Sequence, residues 1–229
     1  EASDISWPEP CIVEYVTNGQ GGINSLSKGT IDAMMADKNT SIYDLIGIGN
    51  IRKKYPPQTS TEKTVLQTVI GDMMSAYPSE SYGIIFGSHG SGWLPTITGT
   101  RSIGQDGGRY SSDTALIPEL AEVLRTVNPQ KFDFVLFDAC MMGCAEVYYE
   151  LKDAARYCIA SVLDIPAAGF PYASVMPYLY ENAIKDYLGP ICKDYIDYYN
   201  YLNNKYDAND YKNYNKTARK LIDSAKSKR

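Results

Sequence analysis

Short apolar runs alternate along this chain with longer stretches of helical periodicity, and that alternation restricts the fold more than any other feature. The runs Cys11 to Val16, Ile42 to Ile48, Tyr82 to Phe86, Phe132 to Phe137 and Tyr157 to Leu163 read as strands. Between them lie stretches whose apolar residues recur three and four positions apart, the mark of one helix face. The first covers Ile23 to Ala36. The second carries Val65, Leu66, Val69, Ile70, Met73 and Met74 behind a Thr59-Ser-Thr-Glu62 capping box. A third follows Pro118, a residue suited to a first helical turn, and a fourth runs from about Cys144 to Lys152. A β-α-β-α order of this kind predicts an α/β fold: a mostly parallel central sheet, helices on both faces and right-handed crossovers.

The last quarter differs in character. Eleven of the 20 tyrosines lie between Tyr172 and Tyr214. Residues 179–229 are expected to form a helical extension, with breaks near Pro190 and Asp207, packed on a main domain formed by residues 1–178. The tyrosines suit helix packing better than a carbohydrate or partner surface.

Composition removes several function classes. Of the 229 residues, 44% are hydrophobic and 21% charged, enough for a sizeable core. The formal net charge of −5 argues against nucleic-acid binding. No apolar run is long enough to cross a bilayer. A single histidine leaves no Cys/His metal cage, so no metal site is expected. The five cysteines, Cys11, Cys140, Cys144, Cys158 and Cys192, leave at least one unpaired, and none has C-x-x-C spacing. Cys144, Cys158 and Cys192 fall within apolar patterns and read as core. The opening E-A-S-D-I-S-W-P-E-P lacks the form of a signal peptide.

In an open parallel sheet, ligands bind outside the carboxyl ends of the strands. Two long strands end there in unusual residues, one in Ser88-His89-Gly90 and the other in Asp138-Ala139-Cys140. If the strands are neighbours, His89 and Cys140 share one rim. An imidazole there can take a thiol proton and return it to a leaving amine. The N–H groups of Gly90 and Cys140 can meet a developing oxyanion, and the following helix start would favour a thiolate. The blander alternatives are a buried Cys140 acting as a small hydrophobe and an exposed His89 in a glycine turn. Asp138 precedes Cys140 by two, so strand alternation can put both on one side. Its carboxylate can then pair with a substrate guanidinium, or it can accept N–H bonds at the next helix start. Asp164 is a second candidate, or an exposed loop acid.

The run S-H-G-S-G-W at 88–93, followed by F-D-A-C-M-M-G at 137–143, resembles the clostripain family of cysteine peptidases, relatives of caspase, legumain and gingipain. R-S-I-G-Q-D-G-G at 101–108, V-Y-Y-E-L at 147–151 and I-A-S-V-L-D-I-P-A-A-G-F-P-Y at 159–172 follow in the family's order. The family usually shows a bulkier residue where Met141-Met142 stand, and Trp in place of Phe170.

The resemblance implies a caspase-like α/β/α sandwich and a cysteine endopeptidase with His89 as base and Cys140 as nucleophile. It implies protein or peptide substrates cut after Arg or Lys, with Asp138 rather than a helix cap as the partner of the basic side chain. No cofactor is called for. The glycine-rich segment from Thr96 to Ser112 is expected to be a loop over the cleft. Arg101 and Arg109 in it are candidates for self-cleavage, because relatives are often activated by a cut there. A monomer is expected, secreted or associated with the cell envelope, its signal segment absent from this chain. The rivals are a catalytically silent caspase-like scaffold and a flavodoxin-like nucleotide binder using Thr17-Asn-Gly-Gln-Gly-Gly22.

Overall fold

A computed structural model of the protein describes residues 10–14, 51–92, 102–106, 113–166, 169–179 and 184–205. Its centre is the strand β6. In chain order the elements are β1 (Cys11–Val13), β2 (Ile51–Lys54), α1 (Lys63–Ala76), β3 (Gly83–Gly87), β4 (Ser102–Asp106), β5 (Asp113–Leu116), α2 (Ile117–Val127), β6 (Phe132–Asp138), α3 (Ala145–Leu151), β7 (Ala155–Ile159), α4 (Tyr172–Leu179) and α5 (Ile184–Lys205).

Strands β3, β6 and β7 form a parallel sheet in that order. The run Phe132-Asp-Phe-Val-Leu-Phe-Asp138 is nearly unbroken in apolar character because a parallel strand in mid-sheet is covered on both faces. Val135 and Phe137 enter one core with Ile70 of α1, Leu120 and Leu124 of α2, and Val147 and Leu151 of α3. Phe134 and Leu136 enter a second core with Ile159, Phe170, Val175 of α4 and Ile191 of α5. The product is the expected α/β/α sandwich. Pro118 lies in the first turn of α2, as its fixed φ favours.

Local departures from the sequence pattern have physical causes. β1 pairs antiparallel with β2. The pattern shows no strand at 51–54 because Arg52, Lys53 and Lys54 are exposed charges. The predicted helix at 23–36 and strand at 42–48 lie outside the described residues, as do Thr17 to Gly22. The Thr59–Glu62 capping box does not form: Glu62 itself is the N-cap and makes no side-chain cap bond. The glycine-rich segment is not all loop. Ser102–Asp106 pairs antiparallel with Asp113–Leu116, since Ile103 and Ala115 are buried in the first core.

The fifth strand occupies 155–159 rather than 157–163, because the backbone beyond Ile159 turns to bond the loop after β6. Pro190 does not break a helix but lies inside α5. It forfeits one helical N–H bond, and the fully buried neighbour Ile191 holds that turn against the sheet. Asp207 lies outside the described residues.

Candidate active site

Parallel strands in register leave a sheet side by side. β3 and β6 pair from Gly83↔Phe134 to Gly87↔Asp138, and Ser88 N–H continues the pairing to Asp138 O at 3.2 Å. His89 and Cys140 each lie two residues beyond the last rung, at one carboxyl rim.

The chain after β3 is stitched to the β4–β5 hairpin. Gly104 N–H donates to His89 O at 2.8 Å and Ser91 N–H to Ser102 O at 3.1 Å. Gly90 and Ile103 then face each other across a bridge as a non-hydrogen-bonded pair, so that ladder leaves the Gly90 N–H unused. The His89 side chain is exposed.

This loop lies directly on the turn that carries Cys140. A Cβ on Gly90 would come within 2.6 Å of Cys140 O and 2.9 Å of Met142 Sδ. One on Gly92, where φ is +55°, would come within 2.1 Å of Met141 O. Only glycine permits this approach. Met141 has φ of 60°, uncommon for a residue with a side chain, and places a sharp turn just after Cys140. Fully buried Met142 anchors the turn in the first core.

A second loop clamps the turn from the β7 side. Met141 N–H donates to Leu163 O at 3.1 Å and Gly143 N–H to Ser161 O at 2.7 Å. Ile165 N–H donates to Cys140 Sγ at 3.3 Å. Burial pushes the Cys140 thiol above its ordinary ionisation range. The Ile165 N–H opposes that rise, the Asp164 carboxylate adds to it, and the thiol's own backbone N–H opposes it. Asp164 is thus an exposed loop acid whose negative charge acts on the thiol. α3 begins at Ala145 behind a Cys144 N-cap, as the expected start at about Cys144 has it, and Cys140–Gly143 are spent on the clamped turn.

Asp138 does not cap that helix. Its Oδ2 accepts Phe170 N–H at 3.2 Å and the Tyr172 hydroxyl at 2.8 Å. Gly169, at φ +67°, brings its backbone so close that a Cβ would stand 2.5 Å from Oδ2. Among the described residues no hydrogen bond reaches Oδ1. Burial, and then the bond to Asp138, push the Tyr172 hydroxyl far above its ordinary value, so it remains a donor. Cys144 and Cys158 pack against the first core, and burial pushes the Cys158 thiol up to about 12. Cys192 is exposed, not core, because its apolar neighbour Ile191 takes the inward face of α5. Arg101 and Arg109 lie outside the described residues.

The family model of the clostripain family matches residues 26–227. The chain belongs to the clostripain family. Three solved structures are similar to this clostripain-family chain. A secreted C11 cysteine protease from Bacteroides thetaiotaomicron, in complex with an irreversible peptide inhibitor, is 39% identical with a TM-score of 0.57. That match covers 66% of this chain and 41% of that one. A second secreted C11 protease of the same organism, "iotapain", is 30% identical with a TM-score of 0.55, over 64% and 42%. An inactive zymogen C11 protease from Parabacteroides distasonis is 33% identical with a TM-score of 0.53, over 66% and 40%. Each match thus spans about two-fifths of the solved structure's length. A search of curated proteins finds no match. The sandwich of this clostripain-family chain is caspase-like.

Two groups at the rim of this clostripain-family site escape sequence reasoning. The Ile165 N–H at Cys140 Sγ is a backbone group that no residue type announces. The donors to Asp138 come from G-F-P-Y at 169–172; its glycine and tyrosine were the available signal.

Proposed function

We propose that this chain carries the catalytic centre of a secreted cysteine endopeptidase that cuts protein chains after Arg or Lys. The observation behind the reading is the β3–β6 register, which sends the only histidine of the sequence and Cys140 off one rim. His89 takes the Cys140 proton as Sγ attacks the carbonyl carbon. The N–H of Gly90, which the ladder leaves unused, and that of Cys140 donate to the oxyanion. As the peptide C–N bond breaks, His89 returns the proton to the amine, leaving a thioester. Water, deprotonated by His89, attacks the thioester and frees the acid product and the thiol.

Asp138 supports the basic preference, because its Oδ1 is uncommitted among the described residues and can accept a guanidinium or ammonium proton. Asp164 adds negative charge at the mouth. The similar proteins described as secreted support an extracellular place. Self-cleavage at Arg101 or Arg109 would fit a monomer whose own segment matches its pocket.

The rival reading, a silent scaffold, draws on the raised Cys140 thiol, which disfavours the thiolate at rest. A thiol-directed peptidyl-Arg probe separates the two. The peptidase labels at Cys140 and hydrolyses fluorogenic Arg peptides. Cys140→Ala lowers that hydrolysis by about 10⁴-fold or more, whereas Cys144→Ala leaves it largely intact. Full activity in the Cys140 variant, or a wild type that neither labels nor cuts, overturns the proposal.

A further inference from the structure

The tyrosine-rich helix α5 reaches the rim through the Tyr199 hydroxyl. Tyr199 donates to Gly169 O at 2.6 Å. Its ring packs against Tyr195, with centroids 4.9 Å apart, and Tyr195 packs against Phe170 at 4.7 Å. Phe170 is buried in the second core. The turn from Gly169 to Tyr172 is therefore held from behind by an aromatic stack and at its apex by a hydroxyl. In front, the same turn presents the two donors that hold Asp138 Oδ2, Phe170 N–H at 3.2 Å and Tyr172 OH at 2.8 Å. Gly169 itself admits no Cβ beside that carboxylate. A shift of the Gly169 carbonyl has to move both donors, since the four residues from Gly169 to Tyr172 form one hydrogen-bonded turn: Gly169 N–H donates to Pro166 O at 2.8 Å and Tyr172 N–H to Phe170 O at 2.8 Å.

We propose that Tyr199 is a positioning residue for substrate selection. It fixes the Gly169–Tyr172 turn, the turn orients the Asp138 carboxylate, and the carboxylate leaves Oδ1 toward the basic side chain of the substrate. The inference rests on the peptidase reading above and deepens it. It gives the tyrosine-rich helix a part in specificity, exerted through the turn. A carboxylate that pairs bidentately or end-on with a guanidinium must be held to within about 0.5 Å and 10–20° of the productive geometry. Loss of the Tyr199 bond therefore weakens binding of a charged side chain and leaves an uncharged one of the same shape unaffected.

The test compares two fluorogenic peptides that differ only before the cut, one with Arg and one with its uncharged isostere citrulline. Tyr199→Phe removes the hydroxyl and keeps the ring stack. Its KM for the Arg peptide is expected to rise about five-fold, the size of one net hydrogen bond, with kcat nearly unchanged. The citrulline peptide is expected to show no change, so the Arg-to-citrulline preference falls by the same factor. Tyr198→Phe is the control, because that ring belongs to the same cluster at 5.1 Å from Tyr199; it keeps the wild-type preference. Asp138→Asn is expected to abolish the preference. An equal loss on both peptides in Tyr199→Phe means that the hydroxyl merely supports the fold, and overturns the inference. An unchanged preference in Tyr199→Phe, with collapse in Asp138→Asn, overturns the inference and leaves the pocket reading intact. An unchanged preference in both overturns the two together.

Discussion

At the residue scale the rim is set by exchanges between a thiol, an acid and a few backbone groups. Burial and Asp164 both favour the neutral thiol of Cys140, against the Ile165 N–H. The direction can be measured without substrate. Only the thiolate reacts with iodoacetamide, so a raised ionisation range moves the rise of alkylation rate to higher pH. Asp164→Asn removes the added negative charge and is expected to move the Cys140 profile to lower pH, read by peptide mapping across a pH series. An unmoved profile would mean that the Asp164 charge does not act on the thiol. On the proposed basic preference, a substrate cation beside Asp164 would act with the same sign as the substitution and favour the attacking form. None of this is legible in D-A-C or L-D-I-P alone, because the contact joins loops from two strands. The shared rim of His89 and Cys140 was easier to see, since each follows an apolar strand and the register does the rest.

At the element scale, legibility follows burial. β6 is covered on both faces and shows it as an unbroken apolar run. α2 is equally plain, with Leu120, Val123 and Leu124 fully buried at helical spacing. β2 and the β4–β5 hairpin lie at margins where charge and glycine interrupt the pattern, so a strand there resembles a loop. β2 is nonetheless tied down just past its end. Buried Tyr55 donates to Asp72 Oδ2 at 2.8 Å, and Lys53 pairs with the same oxygen at 2.5 Å. Burial and then Asp72 push the Tyr55 hydroxyl up to about 12. The folded value is raised, so this stabilisation is complete below the ordinary tyrosine value of about 10 and fades as pH climbs from there to about 12. Tyr55→Phe is expected to cost about 1 kcal/mol at neutral pH and to lose less stability than wild type between pH 7 and 11, by denaturant unfolding. Equal alkaline losses would show that the hydroxyl carries no such coupling.

At the scale of the whole molecule, the question is whether the tyrosine-rich end folds with the sheet or merely follows it. Ile191 of α5 is fully buried in the core that holds Leu136 and Val175. On that ground α5 is expected to unfold as one cooperative unit with the sheet. Ile191→Ala should then cost about 2–5 kcal/mol and lower a single melting transition seen by both near- and far-ultraviolet circular dichroism. A separate early transition, with the main one unmoved, would make the extension an independent unit. The sequence separates this region by its aromatic content, which is a real difference in composition but not in burial. Tertiary contact decided what composition left open: Pro190 reads as a break until Ile191 is seen to be anchored.

The pairing of β3 with β6 also governs what holds the two halves of the rim together. His89 precedes the β4–β5 hairpin in the chain and Cys140 follows it. Were the backbone cut between Asp106 and Asp113, the polypeptide would become two, with β3 and β4 on one piece and β5, β6 and β7 on the other. The rungs from Gly83↔Phe134 to Gly87↔Asp138, the rungs between β4 and β5, and a shared core would still join them. Covalent continuity and structural continuity thus part company at this point: a nicked molecule runs as two bands once unfolded and travels as one particle while folded.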